Sequence, residues 1–359
     1  MIPIAKPIIG EEEITAVREV LNSGMLSQGK KVQEFESAFA EYVGTSYAVA
    51  VSSGTAALHI ALLAHDIRKG DEVITTPFSF IATANSILFT GAKPIFADLN
   101  ENTLNISIES MVEKITPRTK AILPVHLYGQ TADMKSIMEI AEDHDIVVIE
   151  DACQAHGSEF EGKKAGSFAT GVFSFYPTKN MTTGEGGMLV TSDKKIAEKA
   201  RMLRSHGSKQ RYLHEILGYN LRMNDVAAAI GIVQLRKLEN LNKIRIKNAT
   251  YLTESLKNIK EIKLPYIDKR CRHVFHQYTI RLKTRDKIAT ALNKKGIETG
   301  IYYPLPIHKQ PLYKNLGYDD SLPVAEKAAS EVLSLPVHPS VNHHDIDVIS
   351  KALQELLIS

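Results

Sequence analysis

The chain has few of the features that mark disulfide-rich, metal-binding or membrane proteins. Its 359 residues include two cysteines, Cys153 and Cys271, too few for a disulfide framework or a cysteine zinc cluster. Lysine and arginine number 43 against 41 aspartates and glutamates, so no overall basic charge directs the chain to nucleic acid or to an anionic membrane surface. Residues 1–6 lack the apolar stretch of a signal peptide, and no later run is apolar for long enough to span a bilayer. We therefore expect a cytoplasmic protein whose partners have to be inferred from local motifs.

The composition is that of an ordinary globular protein, with 44% hydrophobic and 23% charged residues, and the length suits one large domain plus a smaller one. From about residue 45 to 195, short β-branched runs alternate with longer helical patterns, which predicts βαβ units and a parallel sheet. Ligands of such sheets bind beyond the carboxyl ends of the strands. The predicted strands are residues 47–51, 72–76, 94–97, 121–125, 146–150, 172–175 and 188–191.

A long helix is predicted to join the two domains. It begins at Asn224, a good N-cap residue, and its apolar pattern continues toward Leu256. Beyond about residue 240 the sequence becomes a lysine-rich helix and short strands, such as residues 276–281. We expect a large α/β domain over residues 1–238 and a smaller α+β domain over residues 239–359.

A lysine and an aspartate are placed where pyridoxal phosphate would need them. The cofactor requires an amine that holds its aldehyde as a Schiff base and a carboxylate that keeps its pyridine nitrogen protonated. Asp151 falls at the carboxyl end of a predicted strand, and Lys179 lies in a run that continues through Gly184, Gly186 and Gly187. A loop lysine is usually solvated and a lone acid after a strand is usually a turn residue, but these glycines permit a close backbone approach to a ligand. The combination favours a pyridoxal phosphate site.

A phosphate site is predicted at a junction between a strand and a helix. Ser53, Gly54 and Thr55 follow one predicted strand and open a helix, whose first N–H groups lack internal partners and whose dipole favours an anion. Such a turn is as often a plain helix cap. Ser174, five residues before Lys179, could add a hydroxyl to the same phosphate.

Two more side chains could contact the cofactor ring. Gln154, three residues after Asp151, could reach the ring hydroxyl through a hydrogen bond. Phe80 could stack on the pyridine face, but its spacing alone favours packing in the core.

Two motifs resemble sites of other kinds, one for a nucleotide and one for a metal. Residues 24–31 match the glycine and lysine spacing of a nucleotide-binding P-loop, but Lys31 stands where a serine or threonine must bind magnesium, and no strand is predicted before the loop. His343 and His344 precede Asp345, but adjacent histidines at a helix start point in different directions. We expect neither an ATP site nor a metal site.

Taken together, the motifs resemble those of the DegT/StrS sugar aminotransferases, a group within the aspartate aminotransferase fold type of pyridoxal phosphate enzymes. The resemblance spans nearly the whole chain, and it implies a large domain with a mostly parallel, mixed seven-stranded sheet and a smaller C-terminal α+β domain. The segments that carry it are residues 24–29, 53–58, 124–130, 150–157, 171–188, 218–223 and 303–308.

The resemblance also implies roles in cofactor binding. Lys179 matches the Schiff-base lysine, and Asp151 matches the partner of the pyridine nitrogen. Gln154 matches the residue that faces the ring hydroxyl, and Phe80 matches the stacking aromatic. The positions that correspond to the phosphate site of the family are Gly54, Thr55, Ala56 and Ser174.

Three further residues are implied to complete the site. Tyr176 and His308 match positions that contact the sugar in related enzymes. Asn220 matches a residue that the neighbouring subunit supplies to the phosphate. The resemblance therefore implies a homodimer with shared active sites.

The implied reaction is a two-step amino transfer. An amino donor, expected to be L-glutamate, converts the cofactor to its pyridoxamine form, which then aminates a keto sugar carried on a nucleoside diphosphate, while Lys179 moves the proton. The sequence around Gln154 is similar to that of enzymes acting on 3-keto sugars, and a 4-keto sugar is the alternative.

Two other functions are alternatives. A regulator or sensor could keep the fold without turnover, but the joint presence of Lys179, Asp151 and Gln154 argues against it. Another pyridoxal phosphate reaction on amino acids, such as racemisation or aldol cleavage, is disfavoured by the sugar-family segment at residues 303–308.

Overall fold

The computed structural model describes residues 1–358, with side chains through Leu357. Two short 3-10 helices, Leu127–Gly129 and Ile307–Lys309, lie in loops. In the described part of the chain the strands are β1 (Tyr47–Val51), β2 (Glu72–Thr75), β3 (Lys93–Phe96), β4 (Thr119–Leu123), β5 (Val147–Asp151), β6 (Glu159–Phe160), β7 (Lys163–Lys164), β8 (Thr170–Ser174), β9 (Gly187–Thr191), β10 (Ser208–Gln210), β11 (Leu213–His214), β12 (Cys271–Arg272), β13 (Tyr278–Arg281) and β14 (Val332–Leu335). The α-helices are α1 (Glu11–Ser23), α2 (Lys30–Val43), α3 (Gly54–Ala64), α4 (Ala82–Phe89), α5 (Ile108–Glu113), α6 (Met134–Asp143), α7 (Lys194–Arg204), α8 (Asp225–Leu256), α9 (Arg285–Lys294), α10 (Pro311–Asn315), α11 (Pro323–Glu331) and α12 (His343–Ile358).

Seven of the strands form one sheet, in the order β1-β9-β8-β5-β4-β2-β3. Strands β8, β5, β4, β2 and β3 pair in parallel, whereas β9 runs antiparallel to both β8 and β1. Strand β9 is reversed because residues 175–186 return directly from β8 without the helical crossover that a parallel strand needs. The seven strands are those predicted from the sequence, and the mostly parallel, mixed sheet is confirmed.

Helices cover both faces of this sheet. Val49 and Val51 of β1 belong to the apolar core that includes α3, whereas Ala48 and Ala50 belong to the core that includes α2 and α8. The two sets alternate because successive side chains of a strand point to opposite faces. Both faces are therefore closed, and the edge at the carboxyl ends of the parallel strands is left for a ligand.

The C-terminal part has an apolar core of its own. The end of α8, helices α9 and α12 and the antiparallel pair β13–β14 form it. Helix α8 begins at the predicted cap, Asn224, whose side chain accepts a hydrogen bond from the N–H of Ala227 at 2.8 Å. The helix passes through the predicted domain boundary at residue 238, so both parts of the chain share it. Across the described residues, no helix is both long and apolar enough to cross a membrane.

The glycine-rich segment before α2 holds a carboxylate of the protein itself. Asp225, the first residue of α8, accepts hydrogen bonds from the N–H groups of Gly29 at 2.8 Å, Lys31 at 3.2 Å and Val32 at 3.1 Å. A Cβ atom on Gly29 would lie 2.8 Å from Asp225 Oδ2. The positive end of α2 is thus already neutralised by an internal anion, which accounts for the P-loop-like spacing without a nucleotide.

Removal of this carboxylate should destabilise the protein. We expect Asp225→Ala to lower the free energy of unfolding by about 3 kcal/mol, because three N–H groups at the start of α2 lose their acceptor. Urea denaturation followed by circular dichroism measures the change. Glu11→Ala, which removes an exposed acid from the first turn of α1, is the control and should cost less than about 0.5 kcal/mol. Equal effects of the two substitutions would contradict the role of Asp225.

Candidate active site

The predicted lysine and aspartate lie at the same edge of the sheet. Asp151 ends β5, and Lys179 lies in the 175–186 connection that leaves the carboxyl end of the neighbouring parallel strand β8. Burial lowers the pKa of the Lys179 amine, and it outweighs the effects of Cys153 and Asp151, which raise that pKa. A lysine with a lowered pKa is more often the neutral nucleophile that forms an imine with an aldehyde.

The connection that carries Lys179 is held in place by hydrogen bonds of the next residue, Asn180. Asn180 Nδ2 donates to Asn242 Oδ1 of α8 at 2.8 Å and to the carbonyl of Val274 at 3.3 Å. Asn242 in turn donates to the carbonyl of His156 at 2.8 Å. Helix α8 therefore holds both the lysine connection and the segment that follows β5.

The Asp151 carboxylate is buried and oriented by two donors. The hydroxyl of Thr83 donates to Oδ2 at 2.8 Å, and the N–H of Cys153 donates to Oδ1 at 3.2 Å. Since the Thr83 hydroxyl donates its hydrogen bond to Asp151, its oxygen accepts from the hydroxyl of Ser79 at 3.0 Å. Both carboxylate oxygens retain a further lone pair, so Asp151 can accept a hydrogen bond from a protonated ring nitrogen. Thr83 and Ser79 could not be identified from the sequence, because the contact between Thr83 and Asp151 joins residues 68 positions apart.

The start of α3 combines a helix cap with a place for an anion. Ser53 caps the helix: its hydroxyl accepts from the N–H of Ala56 at 3.1 Å and its carbonyl accepts from the N–H of Ala57 at 3.0 Å. The turn is therefore a helix cap, which was the alternative interpretation, and the cap uses the N–H of Ala56. The first two helical residues, Gly54 and Thr55, have no intrahelical acceptor for their N–H groups, which lie at the positive end of the helix dipole.

Two glycines allow the backbone segments of the site to touch. A Cβ atom on Gly54 would lie 2.7 Å from the Cβ of Ser174 and 3.1 Å from Cys153 Sγ. A Cβ atom on Gly187 would lie 2.2 Å from the carbonyl oxygen of Ser53. Because neither position can hold a side chain, the end of β8 and the start of β9 pack directly against the start of α3. The Ser174 hydroxyl is thereby brought beside the helix N-terminus, as a phosphate site would require.

Gln154 is buried and held between two tyrosines. Its Oε1 accepts from the N–H of Tyr128 at 3.0 Å, and its Nε2 lies 3.2 Å from the hydroxyl of Tyr303. Tyr128 has a left-handed backbone, with φ 57°, which is uncommon for a tyrosine. Tyr303 belongs to a segment singled out from the sequence, but no role for it was predicted. Its contact with Gln154 appears only when the C-terminal part folds onto the sheet.

Three of the predicted residues are exposed on this chain. The side chain of Phe80 is 58% exposed and that of Tyr176 is 48% exposed. The alternative that Phe80 packs in the core is therefore wrong. Asn220 is also exposed, in a segment paired with Ser205. The contacts predicted for these side chains involve ligands or a second subunit, and they stay predictions.

His308 is buried in this chain. The ring is fully buried in the 3-10 helix Ile307–Lys309, with Nε2 3.3 Å from the Glu326 carboxylate and its centroid 6.2 Å from that of Phe96. Burial lowers the pKa of His308, and Glu326 opposes this effect. In this chain the ring packs against Phe96, and the predicted contact of His308 with the sugar stays a prediction. The proline-rich sequence around it gave no signal of that burial.

His343, from the histidine pair considered above as a metal site, packs against an aromatic ring. The ring of His343 stacks on that of Tyr251, with centroids 4.6 Å apart. Among residues 1–358, no three histidine, cysteine or acidic side chains are grouped as a metal site would need.

Comparison with characterised sequences places the chain among aminotransferases. Residues 7–354 match the profile of the DegT/DnrJ/EryC1/StrS aminotransferase family. A protein of Geobacillus stearothermophilus named pleiotropic regulatory protein is 43% identical over 96% of this chain and 94% of its own length. The UDP-N-acetyl-3-dehydro-α-D-glucosamine 3-aminotransferase of Acidithiobacillus ferrooxidans is 41% identical over 97% and 94%.

Solved structures give the same result. DesV of S. venezuelae, determined in complex with a ketimine intermediate, superposes with a TM-score of 0.94 and is 39% identical over 97% of this chain and 95% of its own. NtdA of Bacillus subtilis, determined with the bound cofactor PMP, gives a TM-score of 0.91 and is 35% identical over 98% of this chain and 83% of its own. The fold predicted from the motifs is confirmed, and the chain belongs to the DegT/DnrJ/EryC1/StrS aminotransferase family.

Proposed function

We propose that this aminotransferase uses pyridoxal phosphate to move an amino group from L-glutamate to the ketone of a nucleotide-linked sugar. The observation that carries the proposal is the meeting of Lys179, Asp151 and the N-terminus of α3 at one edge of the sheet. An amine, a carboxylate and an anion site are the three contacts that this cofactor needs. The cofactor PMP in the related NtdA supports the assignment.

The residues present fit the cofactor. Lys179 would hold its aldehyde, and Asp151 would bind its ring nitrogen. Gly54 and Thr55 would donate backbone N–H groups to its phosphate, with the Ser174 hydroxyl beside them. When bound, the cofactor supplies an electron-withdrawing ring that stabilises negative charge on the substrate carbon.

Lys179 is the proposed proton carrier. Its free amine would take a proton from the α-carbon of the amino donor and deliver it to the bound cofactor. The lowered pKa of the amine supports this role, because a neutral amine is the form that accepts a proton. Asn180, bonded to α8, keeps the Lys179 backbone in place while the side chain moves.

A 3-keto sugar is the proposed acceptor. The related enzyme from Acidithiobacillus ferrooxidans is named as acting on a 3-dehydro sugar of UDP, and the sequence context of Gln154 points the same way. A 4-keto nucleotide sugar is the alternative substrate.

A homodimer is the proposed active form. Asn220 is exposed on its own chain, as a residue offered to the phosphate of a second subunit would be. Phe80 and Tyr176, also exposed, would then face the ring and the sugar.

A regulatory role is the second candidate, because one relative with 43% identity carries a regulatory name. The complete set of Lys179, Asp151 and Gln154 favours turnover over sensing, since a sensor has no need of a proton-transfer group.

A spectroscopic experiment tests the proposal. The purified protein should turn yellow with pyridoxal phosphate and lose that colour when L-glutamate is added. A panel of 3-keto and 4-keto nucleotide sugars is then supplied, and the sugar that restores the colour is the acceptor. A protein that stays colourless would refute the cofactor assignment. Failure of every amino donor to change the spectrum would favour the sensor.

A further inference from the structure

The orientation of the Gln154 amide is fixed by its neighbours. The backbone N–H of Tyr128 can only donate, so the atom that faces it at 3.0 Å is the Gln154 oxygen. The amide nitrogen therefore faces the hydroxyl oxygen of Tyr303 at 3.2 Å and donates to it. One of the two Nε2 hydrogens is engaged in this way, and the other remains for a ligand.

The same contact defines what the Tyr303 hydroxyl can do. Since its oxygen accepts from Gln154, its own hydrogen points away from Gln154 and is available to another acceptor. Burial, and next the negative charge of Asp151, raise the pKa of Tyr303. The hydroxyl therefore keeps its proton at physiological pH and remains a donor.

The Tyr303 ring is held in place from two sides. Its centroid lies 6.1 Å from that of Phe78 in an edge-to-face arrangement. The carbonyl of the preceding residue, Tyr302, accepts from the hydroxyl of Tyr128, and the N–H of Ile307 donates to the carbonyl of Pro77 at 2.7 Å. The segment is thus docked on the loop after β2 and on the turn that orients Gln154.

We propose that Tyr303 is a further residue of the active site, whose hydroxyl donates a hydrogen bond to the ring oxygen of the cofactor together with Gln154. Two donors 3.2 Å apart can both lie within about 3 Å of one shared oxygen. The resemblance to the family assigns the ring hydroxyl to Gln154, so the shared acceptor is that oxygen. This inference rests on the proposed function, because it requires bound pyridoxal phosphate.

The pH titration of the resting, cofactor-loaded protein tests this role without any turnover. The ring oxygen carries more negative charge when the linkage to Lys179 is unprotonated, so a donor favours that form and lowers the pKa of the linkage. Tyr303→Phe, which keeps the ring and removes the donor, should raise the midpoint of the absorbance transition by about 0.5 to 1 pH unit. Tyr302→Phe is the control, because Tyr302 contacts the turn through its carbonyl, and its midpoint should equal that of the wild type.

A second variant keeps the test decisive if Tyr303→Phe folds poorly. Site-specific 3-fluorotyrosine at position 303 strengthens the donor and should move the midpoint downward. Midpoints unchanged in both variants, with a normal transition in the wild type, would overturn the role of Tyr303. The absence of any cofactor transition in the wild type would instead refute the proposed function.

Discussion

Lys179→Ala should leave a folded protein that binds the cofactor but has lost amino transfer by about 1000-fold or more. The substitution removes the amine of Lys179, which is the group proposed both to hold the cofactor aldehyde and to carry the proton, so neither step has its reacting group. The two groups that raise the pKa of the Lys179 amine, Cys153 and Asp151, are not amines and cannot form the imine. The measurement is the rate of the absorbance change on mixing the loaded protein with L-glutamate, compared with the wild type.

Two controls separate catalysis from folding in this experiment. Lys194→Ala removes an exposed lysine from the first turn of α7 and should leave the rate within a factor of about 2. Added methylamine, a small primary amine, should restore part of the rate in Lys179→Ala, because it can carry a proton in the space left by the side chain. A Lys179→Ala protein as fast as the wild type would show that another group moves the proton.

Gly187→Ala should weaken pyridoxal phosphate binding by about 100-fold or more. The added Cβ would lie 2.2 Å from the carbonyl oxygen of Ser53, 2.4 Å from its carbonyl carbon and 2.8 Å from the nitrogen of Gly54. All three are backbone atoms that cannot rotate away, so the start of α3 must shift from Ser174, at a cost of about 3 kcal/mol. Titration of the apoprotein with the cofactor, followed by absorbance, gives the dissociation constant.

Gly184→Ala is the matched control for this prediction. Gly184 lies in the same loop with φ 81°, and a Cβ atom there would meet nothing within 4 Å. The strain of a left-handed alanine is about 1 kcal/mol, so binding should weaken by less than about 10-fold. Equal losses in the two variants would mean that loop strain, and not the contact with Ser53, governs the phosphate site.

Much of the fold could be predicted from local sequence. Buried strands are short β-branched runs between turns, and all seven strands of the mixed sheet were found by that pattern to within two residues at each end. The meeting of Lys179 and Asp151 also followed from local information, because both come after strands whose carboxyl ends share one edge.

The partners of these residues could not be predicted in the same way. Thr83 reaches Asp151 and Tyr303 reaches Gln154 only through folding, over separations of 68 and 149 positions, and no periodicity encodes such contacts. The burial of His308 beside Glu326 depends on α11, which packs against a loop whose sequence reads as exposed. For the same reason, residues 24–31 gave no indication that the Asp225 carboxylate accepts hydrogen bonds from the start of α2.

The bond between Asn180 and Asn242 limits how the two parts of the chain can move. Because the residue after the reactive lysine is tied at 2.8 Å to the middle of α8, that stretch of the helix must travel with the sheet. Any hinge that opens or closes the C-terminal part has to lie beyond residue 242. Because the Tyr303 segment is itself docked on Pro77 and Tyr128, it would stay with the sheet during such a motion, and Lys179, Gln154 and Tyr303 would keep their mutual arrangement.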